Sequence, residues 1–182
     1  MKKVSLFLGV ALMALFMASC GSGKQVASTD PCPDCRSTTD VFKYLGQHVA
    51  SNDRQLQQAR SQAANAARAE LATQVSATVK RVVDNYTSEY IAGADSDFRQ
   101  RLQDISRTVV NQLLVGTPVT CEGRIPSTSI QGATICFACV ELTGKSVLDG
   151  IASKVSNDEK LRTDFEYEKF KKVLEDEMGK LQ

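Results

Sequence analysis

The chain has 182 residues, 22 Lys and Arg against 21 Asp and Glu, six cysteines, one histidine and no tryptophan. So balanced a charge excludes the clustered basic excess that a nucleic-acid partner needs, and no such partner is expected. A lone His48 and the absence of Trp thin the routes to acid–base catalysis and to aromatic sugar platforms.

Met1-Lys2-Lys3 opens the chain with positive charge, a predominantly apolar run follows from Val4 to Ala18, and Ser19-Cys20-Gly21-Ser22-Gly23 comes next. This is the layout of a signal peptide cut before Cys20. Fifteen residues are short against the ~20 that a helix needs to cross a bilayer, so cleavage is the better reading than an uncleaved span. Met17-Ala18-Ser19-Cys20 resembles the bacterial lipobox, with Met17 where Leu is commonest. The resemblance implies a diacylglyceryl thioether on the Cys20 sulfur and fatty acyl chains such as palmitate. Each buried CH2 contributes ~0.8 kcal/mol, and two or three chains hold a protein on a membrane durably. By resemblance to the sorting rule of enterobacterial lipoproteins, Gly21 in place of Asp implies the outer membrane, and the lack of an acidic run after it favours the periplasmic face. Loss of the leader takes Lys2 and Lys3 with it and leaves 20 basic against 21 acidic residues.

Residues 20–40, beginning CGSGKQVASTDPCPDC, are rich in Gly, Ser, Thr, Asp and Pro and read as a flexible tether, with one domain over 41–182. Val41 to Ala50 mixes aromatic and β-branched residues and predicts a strand, in which Gly46 marks a bulge or a close backbone approach. Ser51-Asn52-Asp53 offers caps for a long helix with the stripe Leu56, Ala59, Ala63, Ala66, Ala67, Leu71, Val75, Val79, Val82, Tyr86, Tyr90. Its alanine half suits close contact with another backbone, and its β-branched and aromatic half suits a deeper groove. Roughly 39 residues would span ~58 Å, so a bend, a projecting end or a break near Asn85 is expected.

Ala92-Gly93-Ala94 ends that helix, and Asp95 or Ser96 caps a second one carrying Phe98, Leu102, Ile105, Val109 and Leu113 to about Gln112. Val119 to Ile125 and Ala133 to Leu142 are β-rich and flank a hairpin loop. Gly144 closes the strand. Val147, Leu148, Ile151 and Val155 share one face of a short helix, and Asn157 or Asp158 caps a last helix running from Leu161 to Leu181. This order predicts an α+β domain: an antiparallel sheet of about three strands, packed by a long Ala-rich helix and further C-terminal helices.

The segments GQHVASNDRQLQQARSQAANAARAELATQV and VTCEGRIPSTSIQGATICFACVEL resemble the bacterial LPP-twenty lipoprotein family. That resemblance implies a small membrane-anchored domain with no catalytic residues to carry over. Five cysteines beyond Cys20 are not part of the family pattern.

Those five, Cys32, Cys35, Cys121, Cys136 and Cys139, include two Cys-x-x-Cys pairs and admit structural disulfides, a thiol redox site or a metal site. Residues i and i+3 of a strand point to opposite faces, so Cys136 and Cys139 are not expected to bond each other or grip one metal. Cys121 is expected to pair across the hairpin with Cys136 or Cys139, and Cys32 and Cys35 with each other or with the remaining thiol. Five is odd, so one thiol is left over.

No metal or cofactor is expected beyond the lipid on Cys20. No Gly-x-Ser-x-Gly, phosphate loop or EF-hand spacing is present, and no catalytic residue is assigned. Asp95 with Asp97, and Glu175 with Asp176 and Glu177, read as capping or solvated carboxylates. Tyr86 and Tyr90 read as core. The expected function is a non-catalytic envelope lipoprotein that binds or scaffolds another component, with self-association through the Ala-rich helix as one form. The competing class is an exported thiol redox or metal-binding protein using the two Cys-x-x-Cys pairs.

Overall fold

The computed structural model describes residues 31–91 and 96–181. Among them the α+β architecture expected from the sequence is present: three strands, β1 (Val41–Ala50), β2 (Val119–Pro126) and β3 (Thr134–Thr143), and four helices, α1 (Leu56–Tyr90), α2 (Ser96–Val115), α3 (Gly144–Ser156) and α4 (Tyr167–Gly179). The sheet is antiparallel in the order β1-β3-β2, so the hairpin's second strand is central. The hairpin loop is closed by Ser127 N–H donating to the Ala133 carbonyl at 2.8 Å, and Gly132 takes the left-handed conformation (φ 79°) that favours glycine.

Phe42, Gly46 and Ala50 of β1 and Cys136, Ala138, Val140 and Leu142 of β3 share the face that α1 covers. Contact there is close because the residues are small. A Cβ on Gly46 would meet the Ala63 carbonyl oxygen and come within 2.5 Å of the Ala67 nitrogen, so no other residue fits without moving the helix. Ala63 and Ala64 pack on Ala138, and Ala59 on Ala50 and Cys136. The expected stripe errs at one position: Ala64 is buried and Ala66 exposed.

Capping of α1 also differs from expectation. Asn52 makes no side-chain cap, and a 3-10 turn at Asp53–Gln55 leads in, with Gln55 Oε1 accepting from Ser51 N–H at 3.0 Å. No break occurs near Asn85. Thirty-five residues span about 52 Å, and the excess over the sheet is covered by other helices. Val79, Val82, Val83 and Tyr86 join Leu102, Val109 and Val110 of α2 and Phe170, Val173 and Leu174 of α4 in the main core. Tyr86 is fully buried, its ring edge-on to Phe170 at 5.3 Å, and its hydroxyl accepts from Glu166 N–H at 2.8 Å. Burial pushes its hydroxyl pKa up. The helix ends instead at Ile91, whose backbone is extended; Ala92 to Asp95 lie outside the described residues.

At the C-terminus, α3 is capped by Thr143, whose hydroxyl accepts from Ser146 N–H at 3.1 Å, so Gly144 opens a helix where strand closure was expected. The last helix is shorter than expected, because Asp158 Oδ1 accepts from Lys160 and Leu161 N–H and turns the chain through 158–164. Leu161 is buried from that turn. Glu177 corrects the reading of an exposed carboxylate: its side chain is 2% exposed and accepts from Arg81 Nε and Asn85 Nδ2, each at 2.9 Å, and from Lys180. Burial alone would raise its pKa, but the bonds from Lys180 and Arg81 outweigh that and hold it below the ordinary glutamate value.

Candidate functional site

Alternation along β3 divides its cysteines. Cys136 lies on the helix-facing side, fully buried between Ala50 and Ala59, and is a free thiol. Cys139, three residues on, lies on the opposite, outer face, as strand geometry requires. Cys121 is the β2 residue directly across from Cys139 and shares that face.

Two disulfides stand side by side on these neighbouring strands: Cys32–Cys121 and Cys35–Cys139, with Cα separations of 6.0 and 5.9 Å. Cys136 and Cys139 do not bond each other, as strand geometry predicts, but two other expected pairings are corrected. Cys121 does not bond across the hairpin and Cys32 does not bond Cys35. The physical reason is a match of spacings. Pro33-Asp34 sits at the centre of a turn closed by Cys35 N–H donating to the Cys32 carbonyl at 2.9 Å. Such a turn brings its ends within about 7 Å, close to the ~4.8 Å between adjacent strands, so two cysteines three apart descend onto two strands.

The remainder of this segment is also fastened. Ser37 Oγ donates to the Lys43 carbonyl at 3.1 Å and accepts from Lys43 N–H at 3.0 Å, and Thr38 N–H donates to the Val41 carbonyl at 2.8 Å. These bonds occupy one end of the free edge of β1. Asp40 carbonyl accepts from Gly144 N–H at 2.7 Å. Cys32 is 2% exposed. Residues 32–40 therefore form a strap against the sheet, whereas composition alone placed them in the tether. Pro31 marks where the strap enters: it lies over Gly123, 3.1 Å from where a Cβ would be, and its carbonyl is 3.6 Å from Cys121 Sγ. Cys20 lies outside the described residues.

Beyond the strap, the outer face carries a cross-strand aliphatic row, Val49 of β1 opposite Ile135 of β3, itself opposite Ile125 of β2. Val49 is 39% exposed, Ile125 and Ile135 are half-buried, and Ile130 in the adjoining hairpin loop is 50% exposed. Sequence reading missed this row because each residue alone looks like an ordinary strand residue. Parity would have found it, since Ile125 and Ile135 share the odd-numbered register of Cys121 and Cys139.

His48 is exposed on the helix side of β1, beside Gln55, Gln58, Ala59 and Gln62 at the start of α1. Tyr90 is half-buried at the far end of α1, with Lys169 Nζ 5.2 Å from its ring centroid. Asp97 is exposed in the first turn of α2. Among the described residues no group of three or more His, Cys, Asp or Glu is arranged to hold a metal ion, and no helix is long and apolar enough to cross a membrane. The chain matches no family model, no curated protein and no solved structure.

Proposed function

We propose that the protein is a bacterial envelope lipoprotein, acylated on Cys20 after removal of residues 1–19 and held at the outer membrane on its periplasmic face. On this reading its folded domain is a binding or scaffolding module without catalysis of its own. The observation that carries it is the pair of disulfides spanning 89 and 104 residues. Such bonds persist in oxidising compartments outside the cytosol, as the leader at residues 1–19 requires. The resemblance to the LPP-twenty lipoproteins agrees with both. Partner binding is supported by the length of β1 edge beyond the strap. The alanine face of α1 is spent inside the domain on Gly46 and Ala138, so self-association would use another surface.

Metabolic labelling with an alkyne analogue of palmitate, followed by membrane fractionation, tests the anchor. Label should enter the wild-type chain and be lost in Cys20→Ser, which should also leave the membrane fraction. A labelled Cys20→Ser chain, or an unlabelled wild type, would contradict it.

A further inference from the structure

The strap decides where an anchor on Cys20 pulls on the domain. Were residues 20–40 all tether, the chain would meet the fold at Val41, at one end of β1 and the rim of the sheet. Two disulfides move that point to Pro31, over Gly123, in the middle of β2 and on the outer face. Ten residues, 21–30, lie between Cys20 and Pro31, a connection of eleven residue steps. Eleven residue steps reach at most about 40 Å, whatever conformation the chain takes. That limit is about the width of a domain whose expected radius of gyration is ~15 Å. The side on which Pro31 lies is consequently the side drawn toward the bilayer.

The same side carries the aliphatic row. Val49, Ile135 and Ile125 cross all three strands four register pairs beyond Cys139–Cys121, next to the hairpin loop that carries the exposed Ile130. The loop around Ile130, Pro126 to Gly132, is uncharged: Pro, Ser, Thr, Ser, Ile, Gln, Gly. An apolar row beside an uncharged loop suits the boundary between headgroups and acyl chains. The opposite side of the domain is α1, whose solvent surface carries Arg60, Glu70, Lys80 and Arg81.

We propose that the outer face of the sheet is a lipid-contacting surface, and that the Cys32–Cys121 and Cys35–Cys139 strap holds it against the membrane to which Cys20 is anchored. This rests on the lipid-anchor reading. Its occupant is the bilayer surface itself, selected by the reach of the ten-residue connection and its entry on this face. The far side of the domain, with the outward surface of α1, is thereby presented to the periplasm.

The absence of native tryptophan gives a clean test. Single variants Ile130→Trp, Val49→Trp and Ala69→Trp, the last on the exposed side of α1, would each be purified as the lipidated chain. They would be reconstituted into phosphatidylethanolamine and phosphatidylglycerol vesicles with and without brominated acyl chains. Vesicle flotation and tryptophan emission are then read on the same sample. The proposal expects all three to float, with Ile130→Trp and Val49→Trp blue-shifted and quenched at least about twofold more than Ala69→Trp, because a ring at the headgroup boundary lies within reach of the bromines. Flotation with all three equally unquenched would overturn the orientation and leave the anchor standing. Quenching of Ala69→Trp alone would reverse the orientation. Failure to float would overturn the anchor and the orientation with it. Two independent positions on the face guard against one variant misfolding.

Discussion

The two faces of the central strand are closed by different means. On one, Cys136, Ala138, Val140 and Leu142 lie beneath α1, and closure comes from small residues and close packing. On the other, Cys139 and its neighbour Cys121 are covered by nine residues of irregular chain that no apolar stripe could hold, and closure comes from two covalent bonds. A helix gains from many contacts along its length. A strap of Pro, Asp, Arg, Ser and Thr buries too little to offset its own ordering, so it has to be crosslinked. The difference shows how one Cys-x-x-Cys can serve two unrelated ends: Cys136 fills space and Cys139 makes a bond.

The largest effect should come from reducing both disulfides. In the chain-entropy account a bond closing 89 residues contributes about 4.6 kcal/mol, and the second, which then closes a ring of roughly 20 residues, about 3 kcal/mol. Reduction should therefore lower the melting temperature by on the order of 10 °C or more, measured by circular dichroism with and without reductant. Strap and sheet would be shown uncoupled if the two curves superimposed.

Next in size is Gly46→Val on the helix-facing side, which forces a side chain into the Ala63 and Ala67 backbone. A cost of about 3 kcal/mol is expected, seen as an earlier urea midpoint, and a neutral result would mean that α1 does not lie where the alanines place it. The disulfides should survive in this variant, since they stand on the other face.

Smaller again is Glu177→Gln, which weakens the link from α4 to α1. Its partners Arg81 and Lys180 are themselves about half-exposed, so the loss should be about 1 kcal/mol. Because the folded pKa lies below the unfolded one, the stability that Glu177 contributes is present above the ordinary glutamate range and is lost as pH falls through its depressed folded value. Denaturant titrations from pH 7 to pH 3 should thus fall less steeply for Glu177→Gln than for wild type. Parallel curves would contradict that assignment.

An effect no larger than that of Glu177→Gln belongs to Cys136. It bonds nothing covalently and fills a fully buried site, so Cys136→Ala should cost about 1 kcal/mol and leave both disulfides intact. In the native protein this thiol should resist alkylation until denaturant is added.

Much of the fold was legible because its signals are periodic. β1 occupies the residues expected of it, the α1 stripe carries the core at all positions but one, and Gly46 is a close backbone approach. Parity also separated Cys136 from Cys139. The strap was not legible, because its composition is that of a loop and its order comes from partners 89 and 104 residues away. Glu177 was misread for a related reason: its helix looks solvated until Arg81 and Asn85 of α1 are brought beside it. The aliphatic row needs the register of all three strands before Val49, Ile135 and Ile125 become neighbours.

Residues 32–35 bridge two neighbouring strands, and peptide mapping of the non-reduced protein reads that bridge bond by bond. Cleavage before Asp34 separates Cys32 from Cys35, and cleavage after Phe137 separates Cys136 from Cys139. Mass spectrometry should find Cys32 linked to Cys121, Cys35 linked to Cys139, and Cys136 alkylated only after unfolding. A Cys32–Cys35 or Cys121–Cys139 crosslink, or a bond to Cys136, would contradict the strap.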